Sequence, residues 1–470
     1  MSAPTSNFAG RDFAAWFEAL LNLLTEACPE LTDRNHSDAG ITQLRLVAST
    51  SDMEAEYQDL IYDAGTTKYA QFKQDLIDLG RNVEYLPVLA SPASTRMELT
   101  RIEGITGAIN IPKYMAFGRS DGLTYLTVED SNIAAEAQSA QVNAIQGAVV
   151  NVQIEPANIT CPDFSGRPRV NIGSGVAAGS VEVTHGSDPV VTWTEVDSFW
   201  RSVAADRHFL CELCGDDDTV WLVFGDGTKG SLPPTDVNVN VRFVRTDGAA
   251  GNCGSGVISS VPDALSGMIT ARNIEAATGG GPAETTESIR QGIPAMVRTQ
   301  RRGLTKEDYE TLIGHMPGVL HVQAVDRSVS RDWPHMYAAF YVVPNGGGPM
   351  SSLLKDQIWA ACAEWGHLGA YLERYILMDA TEAPVNISVK IGILPGYTTE
   401  TVVNAVTTAI QAVLAAANEE IGAALSFNDL FQAANAVAGV SYADFISPTS
   451  DVPRAPGEIN VAGVITVTVA

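Results

Sequence analysis

Basic residues are scarce in this chain of 470 residues, where 29 Lys and Arg stand against 55 Asp and Glu and the formal net charge is −26. Such a surface repels phosphate backbones and anionic lipid headgroups, so nucleic acid and membrane surfaces are poor candidates for the main partner. The most apolar helical stretch, residues 402–417, is too short and too interrupted by polar side chains to span a bilayer. The N-terminus also lacks the basic and apolar regions of a secretory signal, so we expect synthesis in a cytoplasm.

Recognisable catalytic motifs are missing as well. The sequence contains no H-E-x-x-H, and its glycine runs at 279–281 and 346–348 do not lead into the G-K-[S/T] of a phosphate-binding loop. Carboxylates are scattered, and no pair stands out as an acid and base. We therefore expect no catalysis and no cofactor.

Cysteine and histidine are too sparse to indicate a metal centre. Six cysteines do not make a disulfide scaffold. Cys211 and Cys214 have the spacing of a zinc site, but no second pair follows, and the apolar segment around them is typical of a strand. His315 and His321 flank a Pro-Gly turn and do not share a helix face. We interpret the cysteines as buried small side chains and expect no metal.

The first ~85 residues have a helical pattern. One stripe of apolar side chains, spaced by three and four residues, precedes Pro29, which should end the helix. Its members are Phe13, Trp16, Phe17, Leu20, Leu21 and Leu24. They suit the core of this chain or the surface of a partner equally, and we take them as candidate partner-packing residues. Two more helices are expected around residues 44–61 and 69–79.

From about residue 95 to residue 244 the apolar pattern changes to a period of two, which indicates a β-domain with one buried face per strand. Gly225, Asp226 and Gly227 directly follow one such strand. Because Asp-Gly tolerates positive φ, this site predicts a tight hairpin turn rather than a calcium-binding loop.

The rest of the chain alternates between strand and helix patterns, which is typical of small α+β modules. Helices are expected over 285–297, 351–365, 399–417 and 427–438, and strands over 319–325, 336–343, 384–393 and 461–469. The predicted fold is an α+β multidomain chain with an N-terminal helical region, a central antiparallel β-rich domain and C-terminal small α+β modules. The expected boundaries are 1–93 (helical, partner-packing), 94–247 (β-rich, with the hairpin), 248–310 (Gly-rich linker and helical region), 311–383 (α+β module) and 384–470 (α+β module and tail).

A series of short motifs occurs in one order along the chain. A strand ends in Phe224-Gly-Asp-Gly227, a G-x-x-G-N segment ends in Gly251 and Asn252, and a G-G-x-x-x-E-x-x-E-x-x-R run spans 279–290. A T-x-x-D-Y mark contains Asp308 and Tyr309, and Pro317, Gly318 and Val319 follow. In this order the motifs resemble the signature of baseplate J-like proteins over residues 94–446. Residues 1–93 match that family only as helices, Arg301–Leu304 depart from its usual Arg-Ala-Val, and the residues beyond Pro448 have no assigned place.

The resemblance implies a structural subunit of a contractile-tail phage baseplate wedge, located in the virion tail and assembled in the host cytoplasm. Its partners would be other wedge subunits, the tail hub, sheath-initiating proteins and further copies of itself, in a sixfold ring that transmits the change triggering sheath contraction. Two alternatives remain open at this stage. The chain could be the equivalent component of a bacterial contractile injection system, or a carbohydrate-binding tail protein whose sugar platform uses Trp193, Trp200 or Trp221.

Overall fold

The computed structural model describes residues 12–469 except 31, 36–37, 162–165, 188, 216, 332, 335–336, 365–374 and 416–419. Its helices are α1 (Phe13–Ala27), α2 (Ala39–Ala64), α3 (Lys73–Arg81), α4 (Thr286–Thr299), α5 (Lys306–Gly314), α6 (Ser352–Glu364), α7 (Thr399–Val413) and α8 (Phe427–Asn435). Its strands are β1 (Ser94–Arg101), β2 (Ile109–Ile111), β3 (Ala116–Arg119), β4 (Thr124–Thr127), β5 (Ser131–Ile133), β6 (Ser139–Gln146), β7 (Ala148–Ile154), β8 (Arg169–Ser174), β9 (Glu182–His185), β10 (Val191–Glu195), β11 (His208–Cys214), β12 (Thr219–Phe224), β13 (Val239–Arg245), β14 (Ile258–Ser260), β15 (Ile269–Asn273), β16 (Val319–Asp326), β17 (Ala338–Pro344), β18 (Tyr375–Asp379), β19 (Thr381–Ile393), β20 (Val440–Ser447) and β21 (Glu458–Val469).

The chain divides into two compact units. Unit 1 comprises Met1–Pro87, Glu212–Thr219 and Glu284–Pro294. Its first two helices begin at aspartate caps, which supply acceptors for backbone N–H groups that have no partner inside the helix. Asp12 accepts from Ala15 N at 2.9 Å, and Asp38 accepts from Gly40 N at 2.8 Å.

Unit 2 comprises Val88–Cys211, Val220–Ala283 and Ala295–Ala470. It contains a six-stranded antiparallel sheet in the order β14-β3-β4-β6-β1-β15. The alternating side chains of these strands fill a core that includes Met97, Leu99, Phe117 and Tyr125, all without exposed surface. This alternation is the period of two that the sequence predicts for a sheet with one buried face.

A seven-stranded sheet follows the order β7-β13-β9-β10-β11-β12-β8. Its pairing is mainly antiparallel, but β10 and β11 are parallel. Strands β11 and β12 continue into Glu212–Thr219, the segment that belongs to unit 1.

Two α+β modules complete unit 2. In the first, β16-β17-β18 form a sheet against α5 and α6, with Tyr309, Phe340 and Leu354 buried between them. In the second, β20-β19-β21 form a sheet whose core face receives Val402 and Val406 of α7 and Leu430 of α8.

The predicted α+β multidomain class is confirmed, with helices first, a β-rich middle and α+β modules at the end. Helix α7 ends at Val413 and α6 at Glu364, and parts of the predicted ranges (336, 365 and 416–417) lie outside the described residues. Among the helices that the structure describes, none is both long and apolar enough to cross a membrane.

The expected hairpin after Phe224 is wrong. Strand β12 pairs with β11 and β8, whereas β13, the next strand along the chain, lies between β7 and β9. A type I′ turn requires a positive φ at both of its central residues. Gly227 has a positive φ of 85°, but Asp226 does not. Pro233 and Pro234 follow the loop, and proline has no N–H with which a returning strand could pair.

Candidate functional site

The apolar stripe on α1 is only partly covered. Helix α1 packs against α2, yet it contains no buried residue. All six candidate partner-packing residues are half-buried, and the rings of Phe13 and Phe17 stack with their centroids 6.0 Å apart. The stripe therefore retains apolar surface that the described part of the chain does not remove from water.

A larger apolar face lies on the neighbouring helix α2. Its exposed side chains include Leu46 (65%), Met53 (67%), Tyr57 (69%), Leu60 (44%) and Ile61 (63%), spaced by three, four and seven residues. This spacing places them on one side of a helix. The buried positions of α2 are instead Ile41, Ala48, Ala55 and Asp63. Sequence reasoning identified the helix but not its outward orientation, which the small residues at 48 and 55 indicate because they let another element approach closely.

Two ion pairs fix the Glu212–Thr219 segment within unit 1. Arg81 Nε donates to Glu212 Oε1 at 2.6 Å, and Glu212 is 5% exposed. Lys73, equally buried, pairs with Asp218, and Gly215 N donates to Gln74 Oε1 at 2.9 Å. Helix α3 thus holds the segment through buried charges that would be costly to separate.

The Glu284–Pro294 segment is held in unit 1 by hydrogen bonds. Tyr85 Oη donates to Glu284 Oε1 at 2.6 Å, and burial, followed by the charge of Glu284, raises the pKa of Tyr85. Arg290 donates to Thr67 O at 2.6 Å and to Ala70 O at 2.8 Å. Helix α4 therefore binds the backbone of the loop that precedes α3.

The Phe224-Gly-Asp-Gly227 signature forms a closed loop, which we call the glycine loop (residues 225–232). Asp226 Oδ1 accepts from the backbone N–H groups of Thr228 and Lys229 at 2.8 and 2.7 Å. Those N–H groups, the Thr228 hydroxyl and Arg167 lower the pKa of Asp226. Phe224 is fully buried, with its ring against Trp193 at 5.1 Å. The aspartate therefore organises the loop through its own backbone.

Gly251 and Asn252 lie where three backbone segments approach closely. The Asn252 side chain makes two hydrogen bonds with the backbone of Gly280, and a Cβ on Gly346 would lie 2.4 Å from Asn252 Nδ2. Gly251 O accepts from Tyr125 Oη at 2.6 Å. Asn252 thus connects chain segments that are far apart in the sequence.

The T-x-x-D-Y mark begins α5. Asp308 and Thr305 form a capping box, in which each side chain accepts from the other residue's backbone N–H. Tyr309 is buried and donates to Gly303 O at 2.8 Å, beside the rings of Phe340 and Tyr375. Asp308 therefore stabilises the start of this helix, and Tyr309 packs the helix against the sheet.

Pro317, Gly318 and Val319 lead from α5 into β16. Gly318 O accepts from Asn345 N at 2.9 Å, and Val319 is buried. Pro317 and Gly318 also line a cleft of about 320 Å³, together with Lys113, Tyr114 and other residues of unit 2. The cleft is near the lower size limit for small-molecule sites.

The two cysteines of the C-x-x-C pair, Cys211 and Cys214, are both at least partly covered by the protein. Cys211 is buried beside Glu195, and burial raises the pKa of both groups. Cys214 is half-buried. Within the described ranges, no group of three or more His, Cys, Asp and Glu side chains is placed to hold a metal ion.

Comparison with known proteins gives a consistent result at the C-terminus. Residues 385–469 match the family model for the baseplate J-like protein C-terminal domain, which confirms the resemblance predicted from the motifs. The match includes residues beyond Pro448, which the motif series left unassigned, and the last of them form β21, where a strand over 461–469 was predicted.

Among curated proteins, the chain is similar to baseplate wedge protein gp6 of Enterobacteria phage T4, with 22% identity over 62% of this chain and 47% of the relative. The chain therefore spans about half the length of the curated relative that it matches. Two solved assemblies also contain similar chains. One is the anti-feeding prophage baseplate (13% identity, 97% of this chain and 95% of the other, TM-score 0.36), and one is the type VI secretion TssK-TssF-TssG subcomplex (9%, 72% and 95%, TM-score 0.27).

Proposed function

We propose that this chain is a member of the baseplate J-like family and a structural subunit of a contractile-tail baseplate wedge in the virion. It assembles with other wedge subunits and further copies of itself into a sixfold ring around the tail hub, contacts sheath-initiating proteins, and transmits the change that triggers contraction. It works through its surfaces, without catalysis or a cofactor. The similarity to a wedge protein and the exposed helix faces of unit 1 support the proposal.

The observation that carries this function is the outer face of α2. Burying a large apolar side chain contributes ~1.5–3 kcal/mol, so the five exposed residues from Leu46 to Ile61 would contribute strongly to association. Ordering the partners offsets part of that gain. With the half-covered stripe of α1 beside it, this face is suited to a bundle with helices of neighbouring subunits.

The test is a double substitution on that face in the full-length chain, Met53→Glu with Ile61→Glu. Both side chains are exposed, so we expect the melting temperature to change little. When the variant is produced with the other baseplate subunits, we expect it to be missing from purified particles and from the ring seen by electron microscopy.

The matched control is Val190→Glu, an exposed apolar position in unit 2 (58%), which should enter particles normally. Normal incorporation of the double variant would reject the helix face as the assembly surface. Point variants are preferable to a chain beginning at Ser94, because that truncation also removes Arg81 and Tyr85, the partners of buried Glu212 and of Glu284.

One alternative is disfavoured by the positions of the tryptophans. Trp193 is buried and Trp221 is half-buried beneath the Arg169 guanidinium at 4.7 Å, which leaves Trp200 as the exposed tryptophan of the three. A sugar platform in this region would therefore consist of a single ring. The other alternative, a bacterial contractile injection device, uses the same assembly surfaces, and a capsid around the purified particles would decide for a virus.

A further inference from the structure

Three exposed apolar side chains occur around the glycine loop. Trp200 is 73% exposed, Val203 60% and Leu232 54%. An exposed tryptophan is unusual, because its ring loses the most by remaining in water. Large apolar groups that gather on a surface commonly mark an interaction site.

Contacts with the glycine loop bring the three residues to one region of the structure. Lys229 Nζ donates to Trp200 O at 2.9 Å and lies 5.6 Å from the centroid of the Trp200 ring. Gly230 N donates to Val203 O at 3.2 Å, and the side chain of Leu232 lies against Gly227. We call Trp200, Val203, Lys229 and Leu232 the Trp200 surface.

Exposed cations lie within this surface or next to it along the chain. Lys229 belongs to it, Arg201 follows Trp200, and Arg207 lies four residues after Val203; all three are exposed. Three carboxylates close to it are already engaged. Asp226 accepts from the loop backbone and pairs with Arg167 at 3.1 Å, Asp206 accepts from Val203 N at 2.8 Å, and Asp197 pairs with Arg301 at 3.2 Å. In a chain of net charge −26, exposed cations therefore coincide here with exposed apolar groups.

The surface rests on a firmly packed base. The Arg167 guanidinium lies 4.4 Å from the centroid of the Phe199 ring, and Gly230 packs against the same ring. A Cβ on Gly225 would lie 2.2 Å from the Gly230 carbonyl carbon, so the start of the loop is in direct contact with Gly230. A surface held in this way loses little entropy when a partner binds.

We propose that the Trp200 surface binds an acidic, extended segment of a partner protein that carries an aliphatic side chain between carboxylates. The aliphatic group packs on the ring of Trp200 and on Leu232, while the carboxylates pair with Lys229 and Arg201. Tryptophan flanked by cations is a frequent centre of binding energy in protein interfaces, and complementary charge selects the partner. A long nucleic acid is less suited, because its phosphates would meet the acidic remainder of the chain. This binding does not depend on the α1 and α2 faces.

The test uses the full chain and a fluorescein-labelled peptide, (Glu-Glu-Leu)4, in a fluorescence anisotropy titration at low salt. We expect saturable binding that weakens as salt rises, and a loss of about tenfold or more in affinity for Trp200→Ser and, separately, for Lys229→Glu. Val464→Ser and Lys390→Glu, exposed positions on the C-terminal module, are the matched controls and should bind as the unchanged chain does.

Four results would each overturn the proposal. The first is the absence of saturable binding, and the second is an affinity in the Trp200 and Lys229 variants equal to that of the unchanged chain. The third is an affinity for (Glu-Glu-Ser)4 equal to that for (Glu-Glu-Leu)4. The fourth is tighter binding of a (dT)12 oligonucleotide or of glycans on an array. Melting curves of the variants check that each is folded. Failure here leaves the assembly function of the helices intact, since that test measures incorporation through unit 1.

Discussion

The side-chain amide of Asn252 is paired with the backbone of Gly280. Its Nδ2 donates to Gly280 O and its Oδ1 accepts from Gly280 N, each at 2.9 Å. A two-bond contact of this kind fixes which atom of the amide faces which backbone group. The asparagine of the G-x-x-G-N motif is therefore a structural clamp between two glycine-rich segments.

Removal of the clamp should destabilise unit 2. Asn252→Ala leaves the N–H and C=O of Gly280 without these partners, and we expect a loss of about 1–3 kcal/mol in the free energy of unfolding. Asn252→Asp should be worse at neutral pH, because an oxygen would face Gly280 O. Urea unfolding measures both, with the exposed Asn240→Ala as a control expected within about 0.5 kcal/mol of the unchanged chain. Equal stability of all three variants would contradict the clamp.

Closure of the glycine loop predicts a difference between two glycines. Gly225→Ala would bring a Cβ into the backbone of Gly230, whereas a Cβ on Gly254 meets nothing within 4 Å. We expect Gly225→Ala to lower the melting temperature clearly, because a backbone clash forces the loop open. Gly254→Ala should leave it unchanged or raise it slightly, since alanine restricts the unfolded chain. Thermal unfolding followed by circular dichroism compares them.

The lowered pKa of Asp226 predicts a pH dependence with a definite sign. The pKa of Asp226 in the folded state is lower than its ordinary value of 3.8, so the folded state keeps this carboxylate ionised at lower pH than the unfolded chain does. Asp226 therefore stabilises the fold fully at pH values above about 3.8. The contribution is lost as the pH falls towards the lowered folded pKa. Asp226→Asn should therefore be less stable than the unchanged chain at pH 7, with a gap that narrows below pH ~4.

Urea midpoints measured from pH 2.5 to pH 7 would test this dependence. The exposed Asn240→Ala, which removes no titratable group, is the control, and its stability should stay parallel to that of the unchanged chain at every pH. A gap between Asp226→Asn and the unchanged chain that stays constant down to pH 2.5 would show that the charge has no part in holding the loop.

The Arg81–Glu212 pair predicts strong coupling in unit 1. Glu212→Ala removes a buried acceptor that lies 2.6 Å from Arg81 Nε, and we expect a loss of about 1–3 kcal/mol. The double variant Arg81→Ala with Glu212→Ala should cost less than the two single losses added together, because neither charge is then left without its partner. Strict additivity of the unfolding free energies would contradict a direct pair.

Local patterns in the sequence predict much of this fold. The period of two identifies β7 and β13, and the three- and four-residue spacing identifies α1, because each pattern follows from which side of the element is buried. The same patterns do not identify strands such as β2 and β5, whose three residues are too few to show a period.

Tertiary contacts account for what sequence reasoning missed. It expected a hairpin at Asp226 and Gly227, but the aspartate satisfies its own loop and β12 pairs with strands from elsewhere in the chain. It also did not orient α2, because Leu46 and Ala48 both fit a helix, and the small size of Ala48 was the one local signal for the covered side. The family motifs showed the order of these segments, whereas their contacts depend on long-range packing.

Asn252, Gly280 and Gly346 impose a condition on exchange of segments between related proteins. The Asn252 side chain is bonded to Gly280 and leaves no space for a Cβ on Gly346, so three distant stretches must be compatible at one point. A chimera that takes residues 252–346 from a single parent keeps these contacts. A crossover inside that range takes the contacting segments from two different parents, whose packing at this point need not match. Recombinant libraries should therefore recover few functional breakpoints there.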